Sequence, residues 1–407
     1  MKQKVVVIGA GAAGLMAAGQ AAMRGKDVLL IDKNARPARK VMITGKGRCN
    51  VTNDCDNETF LKNVRSNPRF LYSAIAGFST ADTMAFFEGR GVPLKTERGG
   101  RVFPVSDSAA DIVDALSSFA SDAGVPYRTG RVARIQAGED GVEGVVLEDG
   151  ERIPCTDVIL ATGGQSYPGT GSSGDGYKLS KMLGHTVARI RPSLIPIETK
   201  EEFCKEMQGL SLKNVTLSVT KGKKKVYSEL GEMLFTHFGV SGPLVLSASS
   251  HIDDEKMDEY RLHIDLKPGL SPEQLDARLL RDFEKYKNKD FFNSLGDLLP
   301  RKMIPVVVRL SGVEGTRKVH QITREERRGL VELIKGFAIT PKAFRPLNEA
   351  IVTAGGVSVR EVDPKSMQSK LCRGLYFAGE VLDLDAYTGG FNLQIAFSTG
   401  FAAGTHV

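Results

Sequence analysis

A few positions in this chain have residue types and spacing that could do chemistry. Gly9, Gly11 and Gly14, within Gly9-Ala10-Gly11-Ala12-Ala13-Gly14, have the GxGxxG spacing, and Asp32 lies 18 residues after Gly14. The first glycine permits a tight turn, the second lets a pyrophosphate approach the backbone, and the third lets helix and strand pack closely. The N–H groups and positive dipole end of a following helix would face the phosphates, and the acid could bond ribose hydroxyls. Arg48 could pair with a phosphate or stabilise developing negative charge. Cys49, His237 and Tyr387 are candidate proton donors at a reacting carbon. Each has a plainer reading. Cys49 could pack against a ring, and no His-Asp partner lies nearby in sequence to make it a nucleophile. His237 could be a satisfied interdomain histidine. None of the six histidines has metal-ligand spacing, so no metal is expected.

The elements that must position these residues are legible in outline. Val5-Val6-Val7-Ile8 reads as a parallel strand buried on both faces, Leu15 to Met23 as an Ala-rich helix, and Val28 to Ile31 as a second strand ending at Asp32. GxGxxG alone is weak; set inside this βαβ unit it is strong. A second match, Gly169 to Gly174, has no abutting strand and reads as a loop capping a helix at 176–183. Phe70 to Arg90 and Ser108 to Ala123 read as helices, 97–104 as a hairpin, 125–147 as alternating strands, and Asp157 to Ala161 as a buried strand entering Thr162-Gly163-Gly164. The pattern changes near Pro192. Thr216–Val219, Met233–Phe238 and Arg261–Leu266 are β-like, 271–335 is helical from Ser271-Pro272-Glu273, and Ala350–Val359 returns to strand. Gly374 to Glu380 is a last buried strand, followed by the turn Thr388-Gly389-Gly390 and a helix from Asn392. The expected architecture is α/β: a Rossmann-like domain at 1–191 and 356–407, an inserted β-rich domain at 192–267 and 336–355, and a helical subdomain at 268–335.

Three later features favour a flavin dinucleotide over a nicotinamide one. Thr162-Gly163-Gly164 forms an Ala-Thr-Gly turn on a second strand. Gly379-Glu380 places an acid where ribityl hydroxyls are held. Gly390-Phe391-Asn392-Leu393-Gln394 opens a helix whose N-terminus can face the pyrimidine carbonyls of a flavin.

Longer blocks carry a resemblance. Thr44-Gly45-Lys46-Gly47-Arg48-Cys49-Asn50-Val51-Thr52-Asn53, Met233 to Pro243 (MLFTHFGVSGP), Gly379 to Asp383 and Tyr387 to Gln394 are similar to signature blocks of the BaiN/YhiN-type FAD-dependent oxidoreductases. The resemblance spans the whole chain. It implies an FAD domain, an inserted β-barrel-like domain and a small helical domain within the insertion. It also implies activities that range over aminoacetone oxidation, bile-acid-related reduction and reduction of a uridine in large-subunit ribosomal RNA. Together these readings assign FAD to Gly9, Gly11, Ala13, Gly14, Asp32, Lys33, Thr44, Gly45, Arg48, Asn50, Val132, Ala161, Thr162, Gly163, Gly379, Glu380, Asp383, Gly390, Phe391, Asn392 and Leu393.

Composition bounds the function classes. The 407 residues are 41% hydrophobic and 25% charged, which excludes disordered and fibrous chains. Fifty-five Lys and Arg against 48 Asp and Glu leave +7, an excess that permits a polyanionic partner without requiring one. Lys221 to Lys225 and Arg324 to Arg328 are its visible clusters. The five cysteines are odd in number with no CxxC pair, so neither a disulfide scaffold nor structural zinc is expected, and reducing cytoplasm is the expected setting. The basic start Met1-Lys2-Gln3-Lys4 and the Ala-rich stretch after it suggest a signal peptide, but the glycine pattern explains them better. No membrane span is expected. Three readings stay open: a flavin reductase of a C=C bond, a flavin oxidase of a small amine or aminoketone, and a non-catalytic FAD-stabilised RNA-binding protein. Uridine in 23S ribosomal RNA is the favoured substrate, with NAD(P)H as candidate donor. The electron donor and oligomeric state are not legible.

Overall fold

The computed structural model describes residues 4–407; the basic start Met1-Lys2-Gln3 lies outside them. The chain folds into two compact units, 1–193 with 346–407, and 194–345.

The first unit is built on a five-stranded parallel sheet. Its strands are β1 (Lys4–Ile8), β2 (Asp27–Asp32), β3 (Tyr127–Thr129), β4 (Asp157–Leu160) and β5 (Leu375–Phe377), ordered β5-β4-β1-β2-β3. Val5 to Ile8 register with Asp157 to Leu160 on one side and with Val28 to Ile31 on the other. Both faces are covered, which is why these strands are runs of branched apolar residues rather than alternating ones. Helix α1 (Ala12–Met23) follows β1, and α2 (Phe391–His406) closes the chain. The two helices meet through small residues: a Cβ on Gly400 or Gly404 would lie 2.4 Å from the carbonyl oxygen of Ala13 or Ala17. The expected single helix over 70–90 is instead two, Tyr72–Gly77 and Thr80–Gly89. Phe78 turns extended, and Ser79 with Asp82 forms a capping box that starts a new helix. The expected strand over 350–359 shortens to Val352–Ala354, which pairs antiparallel with Arg191–Ser193. That pairing returns the chain to the first unit at Pro346, ten residues earlier than the boundary read from sequence.

The second unit carries a seven-stranded sheet in the order Phe337–Ile339, Tyr260–Asp265, Ser211–Lys221, Lys224–Phe235, Gly239–Ser241, Ile197–Thr199, Pro341–Phe344. Its two edge strands are joined only by Thr340, so the sheet must curl until its edges approach, as a barrel does. Helix Pro272–Lys285 starts at the Ser271–Gln274 capping box and Arg324–Lys335 at the Thr323–Glu326 box. Their apolar faces, through Leu275, Leu279, Leu330 and Ile334, share one core with Leu217, Phe235 and Phe337 of the sheet. The helical stretch expected as a subdomain at 268–335 therefore packs as part of this unit.

Candidate active site of the first unit

The three glycines of the fingerprint meet three different surroundings. A Cβ on Gly9, where φ is +102°, would lie 2.5 Å from the Ala161 carbonyl oxygen, and one on Gly14 would lie 1.7 Å from that of Gly9. Both glycines are closed in by backbone. A Cβ on Gly11 would meet nothing within 4 Å. Gly11 is also the N-cap of α1, and no side chain caps that helix. The fold thus leaves open space over unclaimed helix N–H groups, which fits a pyrophosphate. Asp32, at the end of β2, accepts from the N–H of Ala10 at 2.7 Å and from that of Asn34 at 2.8 Å. It fastens the glycine turn to β2; Oδ1 also accepts from Asn34 Nδ2 at 2.9 Å, so Oδ2, which takes only the Ala10 N–H, keeps a lone pair for a sugar hydroxyl. Lys33 binds Ser173 and Asp175, and Arg131 reaches the other oxygen of Asp175 at 2.6 Å. Burial alone would raise the Asp175 carboxyl, but Arg131, Lys33 and Ser173 hold it far below the ordinary carboxylate range. Val132 and Ala161 are buried beside this end of the sheet.

The second glycine run caps a helix, as its sequence context implies: Gly174 is the N-cap of Asp175–Met182. It also packs on the end of β2, since a Cβ on Gly171 would lie 2.4 Å from Asn34 Nδ2.

Glu380 sits in a network that sequence reasoning missed. Lys40 Nζ is 2.8 Å from its Oε2, the N–H of Thr353 donates to Oε1 at 2.8 Å, and Ser166 Oγ lies 2.6 Å from Lys40 Nζ. The buried Thr353 hydroxyl accepts from the N–H groups of Gln165 and Ser166. Four segments, 39–43, 163–166, 352–354 and 379–381, are tied together here. Lys40, Ser166 and Thr353 carry no motif, and nothing in their spacing points to one another. Thr162 Oγ1 and Asn50 Oδ1 are buried without a partner among the described residues. Buried polar atoms are rarely left so, and both belong to the segments read as cofactor-binding.

The block at 44–53 and the turn at 387–394 pack together across more than 300 residues of sequence. Asn53 Nδ2 donates to the Gly389 and Gly99 carbonyls, both at 3.0 Å, and Thr52 donates to Gln394 at 2.6 Å. A Cβ on Gly390 would lie 2.3 Å from Thr52. Asn392 closes the turn by accepting from the N–H of Ala386 and donating to the carbonyls of Ala386 and Tyr387. Gly390 is the N-cap of α2, again with no side-chain cap; Phe391 is buried, while Leu393 is half-buried. Gly379 is enclosed against Ala13. Burial pushes the Asp383 carboxyl up, with neighbouring Asp385 adding to the rise and Asn67 opposing it.

The candidate proton donors fare differently. Cys49 is turned into the core: it is 0% exposed, at a left-handed φ of 58°, and burial pushes its thiol up to about 12. A side chain with no open face can touch neither cofactor nor substrate, so the expectation of a catalytic or ring-contacting Cys49 is corrected to a packing role. Arg48 is also spoken for. It binds Glu97, reaches Asp107 at 2.7 Å and lies 4.1 Å over the Phe103 ring. Its charge braces the loop at 44–48 against the hairpin, rather than standing free for a phosphate. Tyr387 is half-buried, with the Arg65 guanidinium 5.6 Å above its ring. His237 belongs to the second unit. It is exposed, in the turn between Lys224–Phe235 and Gly239–Ser241, with its ring 5.0 Å from Phe238. Thr44, Gly45 and Asn50 form a tight turn, in which a Cβ on Gly45 would lie 3.0 Å from the Asn50 nitrogen. Among the described residues no cluster of His, Cys, Asp and Glu could hold a metal, and no helix is long and apolar enough to cross a membrane.

A model of the HI0933-like protein Rossmann domain matches residues 3–406. A 3-dehydro-bile acid delta(4,6)-reductase of Clostridium scindens is 30% identical over 98% of both chains. Ribosomal RNA dihydrouridine synthases of Escherichia coli and Haemophilus influenzae are 31% and 32% identical, over 98% of this chain and 96% of theirs. A 3-ketosteroid-delta4-(5alpha)-dehydrogenase of Rhodococcus jostii, solved with 4-androstene-3,17-dione, shares the fold with a TM-score of 0.55 at 16% identity, covering 99% of this chain and 96% of that one. With the open Gly11 turn, the uncapped helices and the full-length match, the chain belongs to the HI0933-like Rossmann family and is an FAD-dependent oxidoreductase.

Proposed function

We propose that this chain reduces a ring C=C bond, with uridine in 23S ribosomal RNA as substrate, dihydrouridine as product and NAD(P)H as electron donor. The observation that carries this reading is the full-length relatedness to two proteins named ribosomal RNA dihydrouridine synthase. The reductase of bile acids, at nearly the same identity, marks the substrate as the point to be tested.

In this reading Gly11 and the N-terminus of α1 take the pyrophosphate and Asp32 the adenosine ribose. Lys33 and Val132 border that end. Thr162, Gly163 and Glu380 support the middle of the cofactor, while Thr44, Gly45, Asn50 and Asp383 line its ring end. The N-terminus of α2, at Gly390, Asn392 and Leu393, would hold the ring carbonyls, its positive end stabilising negative charge there. FAD held there and reduced by NAD(P)H would supply a hydride to one carbon of the double bond. Tyr387 Oη holds the proton for the neighbouring carbon, since it is the half-buried acid beside the Gly389-Gly390 turn. His237 is the second donor candidate.

The test is direct. Purified protein is expected to be yellow with non-covalent FAD, to consume NADPH or NADH, and to form dihydrouridine in a protein-free 23S transcript, read by RNA mass spectrometry. Ribosomal dihydrouridine that persists unchanged after deletion of the gene would sink the RNA reading. Rapid reoxidation of the reduced protein by air, with turnover of a small amine, would favour the oxidase instead.

A further inference from the structure

The expected basic contacts lie in the second unit, where Lys221 to Lys225 forms a hairpin tip. There Lys221 is paired with Glu259 at 3.1 Å, and Lys223, Lys224 and Lys225 project into solvent. A different set of cations lies beside the candidate site itself. Val64 bridges to Ala386, Arg65 N–H donates to the Asp385 carbonyl at 2.7 Å, and Tyr387 N–H donates to the Asn63 carbonyl at 3.0 Å. These bonds fix Arg65 at the approach to Tyr387. On the other side, Asn53 holds the carbonyls of Gly99 and Gly389 together, and Asn53 registers with Arg101 in the strand pair. The tip of the hairpin formed by Leu94–Glu97 and Arg101–Pro104 is thereby anchored to the glycine turn, carrying Arg98 and Arg101 with it.

The charges on this face are unevenly spent. Glu97 and Asp107 bind Arg48, and Asp107 also binds Lys95. Arg101, 45% exposed, comes no closer than 3.8 Å to Glu97. Arg98 and Arg65 are exposed, and neither has an ion-pair partner among the described residues. Three guanidinium groups therefore flank one turn, held on short backbone-bonded segments, with little of their charge neutralised. Isolated surface arginines would ordinarily be scattered; these are carried on two segments that are both bonded to the stretch Asp385 to Gly389.

We infer that Arg65, Arg98 and Arg101 form the phosphate-binding rim of the candidate active site and hold single-stranded RNA so that one base reaches Tyr387. This rests on the RNA reading proposed above and assigns the contacts to the first unit. Guanidinium groups bind phosphate oxygens through paired N–H donors, and contacts of this kind position a strand without reading its sequence. A base that is unstacked while its flanking phosphates are held can enter a site too narrow for a duplex.

The experiment uses the FAD-loaded protein and a short fluorescent single-stranded transcript containing the target uridine, titrated over a range of salt. Removing the cation that neutralises one phosphate of a single strand lowers the slope of log affinity against log salt by ~0.7. Arg65→Gln/Arg98→Gln/Arg101→Gln is expected to lower it by about 2, with FAD content and melting temperature held. Lysine at the three positions is expected to restore most of the slope, which a purely structural role for the guanidinium groups would not allow. Charge reversal at Lys223, Lys224 and Lys225 is expected to change it less. An unchanged slope in the triple glutamine variant, while the wild type still binds RNA and makes dihydrouridine, would overturn the rim and leave the RNA reading standing. A wild type that binds no RNA would overturn both.

Discussion

At the scale of single residues, open and closed glycines make separable predictions. Gly11 has an ordinary extended backbone (φ −82°, ψ −169°) and empty space where its Cβ would be. Gly11→Val should fold, melt near the wild type as apoprotein, and lose FAD, because the branched side chain fills the space the pyrophosphate needs. Full FAD occupancy in this variant, read from the flavin absorbance, would refute the fingerprint assignment. Gly14→Ala has the opposite expectation. A Cβ 1.7 Å from the Gly9 carbonyl oxygen must push α1 off β1, so the fold itself suffers. Lys40 gives a third prediction. Its ion pair with Glu380 is about a fifth exposed on either side, and a charged hydrogen bond of that kind contributes roughly 1.5–3 kcal/mol. Lys40→Met should weaken FAD binding to the apoprotein by about tenfold or more, and Glu380→Gln in the same background should cost little further. Independent, additive losses would show that the two residues do not act as a pair.

Elements carry their own tests. Ser79 interrupts what the apolar pattern reads as one helix, because its hydroxyl and the Asp82 carboxylate satisfy N–H groups that a continuous helix would not expose. Ser79→Ala should destabilise the first unit by about 1 kcal/mol in urea unfolding. His185 tests the junction of Asp175–Met182 with the segment at 361–369. The ring is buried, 2.8 Å from Ser369 Oγ and 3.2 Å from a Glu361 oxygen. Burial lowers the imidazole below its ordinary 6.5, outweighing the pull of Glu361. A group depressed in the folded state binds its proton first in the unfolded one, so stability is full above pH 6.5 and falls as pH drops below it. Unfolding at pH 7.5 and 5.5 should show that loss, and His185→Gln should remove part of it. Equal pH dependence in the two proteins would show that His185 stays solvated.

Over the whole molecule, the two units keep separate apolar cores. Every residue read as holding FAD belongs to the first, together with Tyr387, while His237 belongs to the second. Leu279→Ala, at a position 0% exposed in the second core, should cost about 2–5 kcal/mol there. Near room temperature FAD should stay bound in this variant while proteases cut within 194–345. Release of FAD in step with that cleavage would show that cofactor binding draws on both units.

The βαβ unit, the buried strand at 157–160, the final helix and the strand cores at 216–219 and 261–265 were legible in sequence because each depends on local patterning. A parallel strand covered on both faces must be apolar throughout, and a glycine turn must be spelled in glycines. The Ser271-Pro272 helix start was readable for the same reason: a cap uses neighbouring residues. The choice of a flavin also came through, since its signals sit in short blocks. What only the tertiary structure decided was which of those block residues face outward. Cys49 and Arg48 are adjacent in one motif, yet one is buried in the core and the other is held by Glu97 and Asp107. The pairing of Lys40 with Glu380 spans 340 residues, and that of Asn53 with Gly389 spans 336. Contacts of that kind leave no trace in local spacing, because side-chain direction and the partner's position are set by packing of the whole sheet, not by the residues on either side.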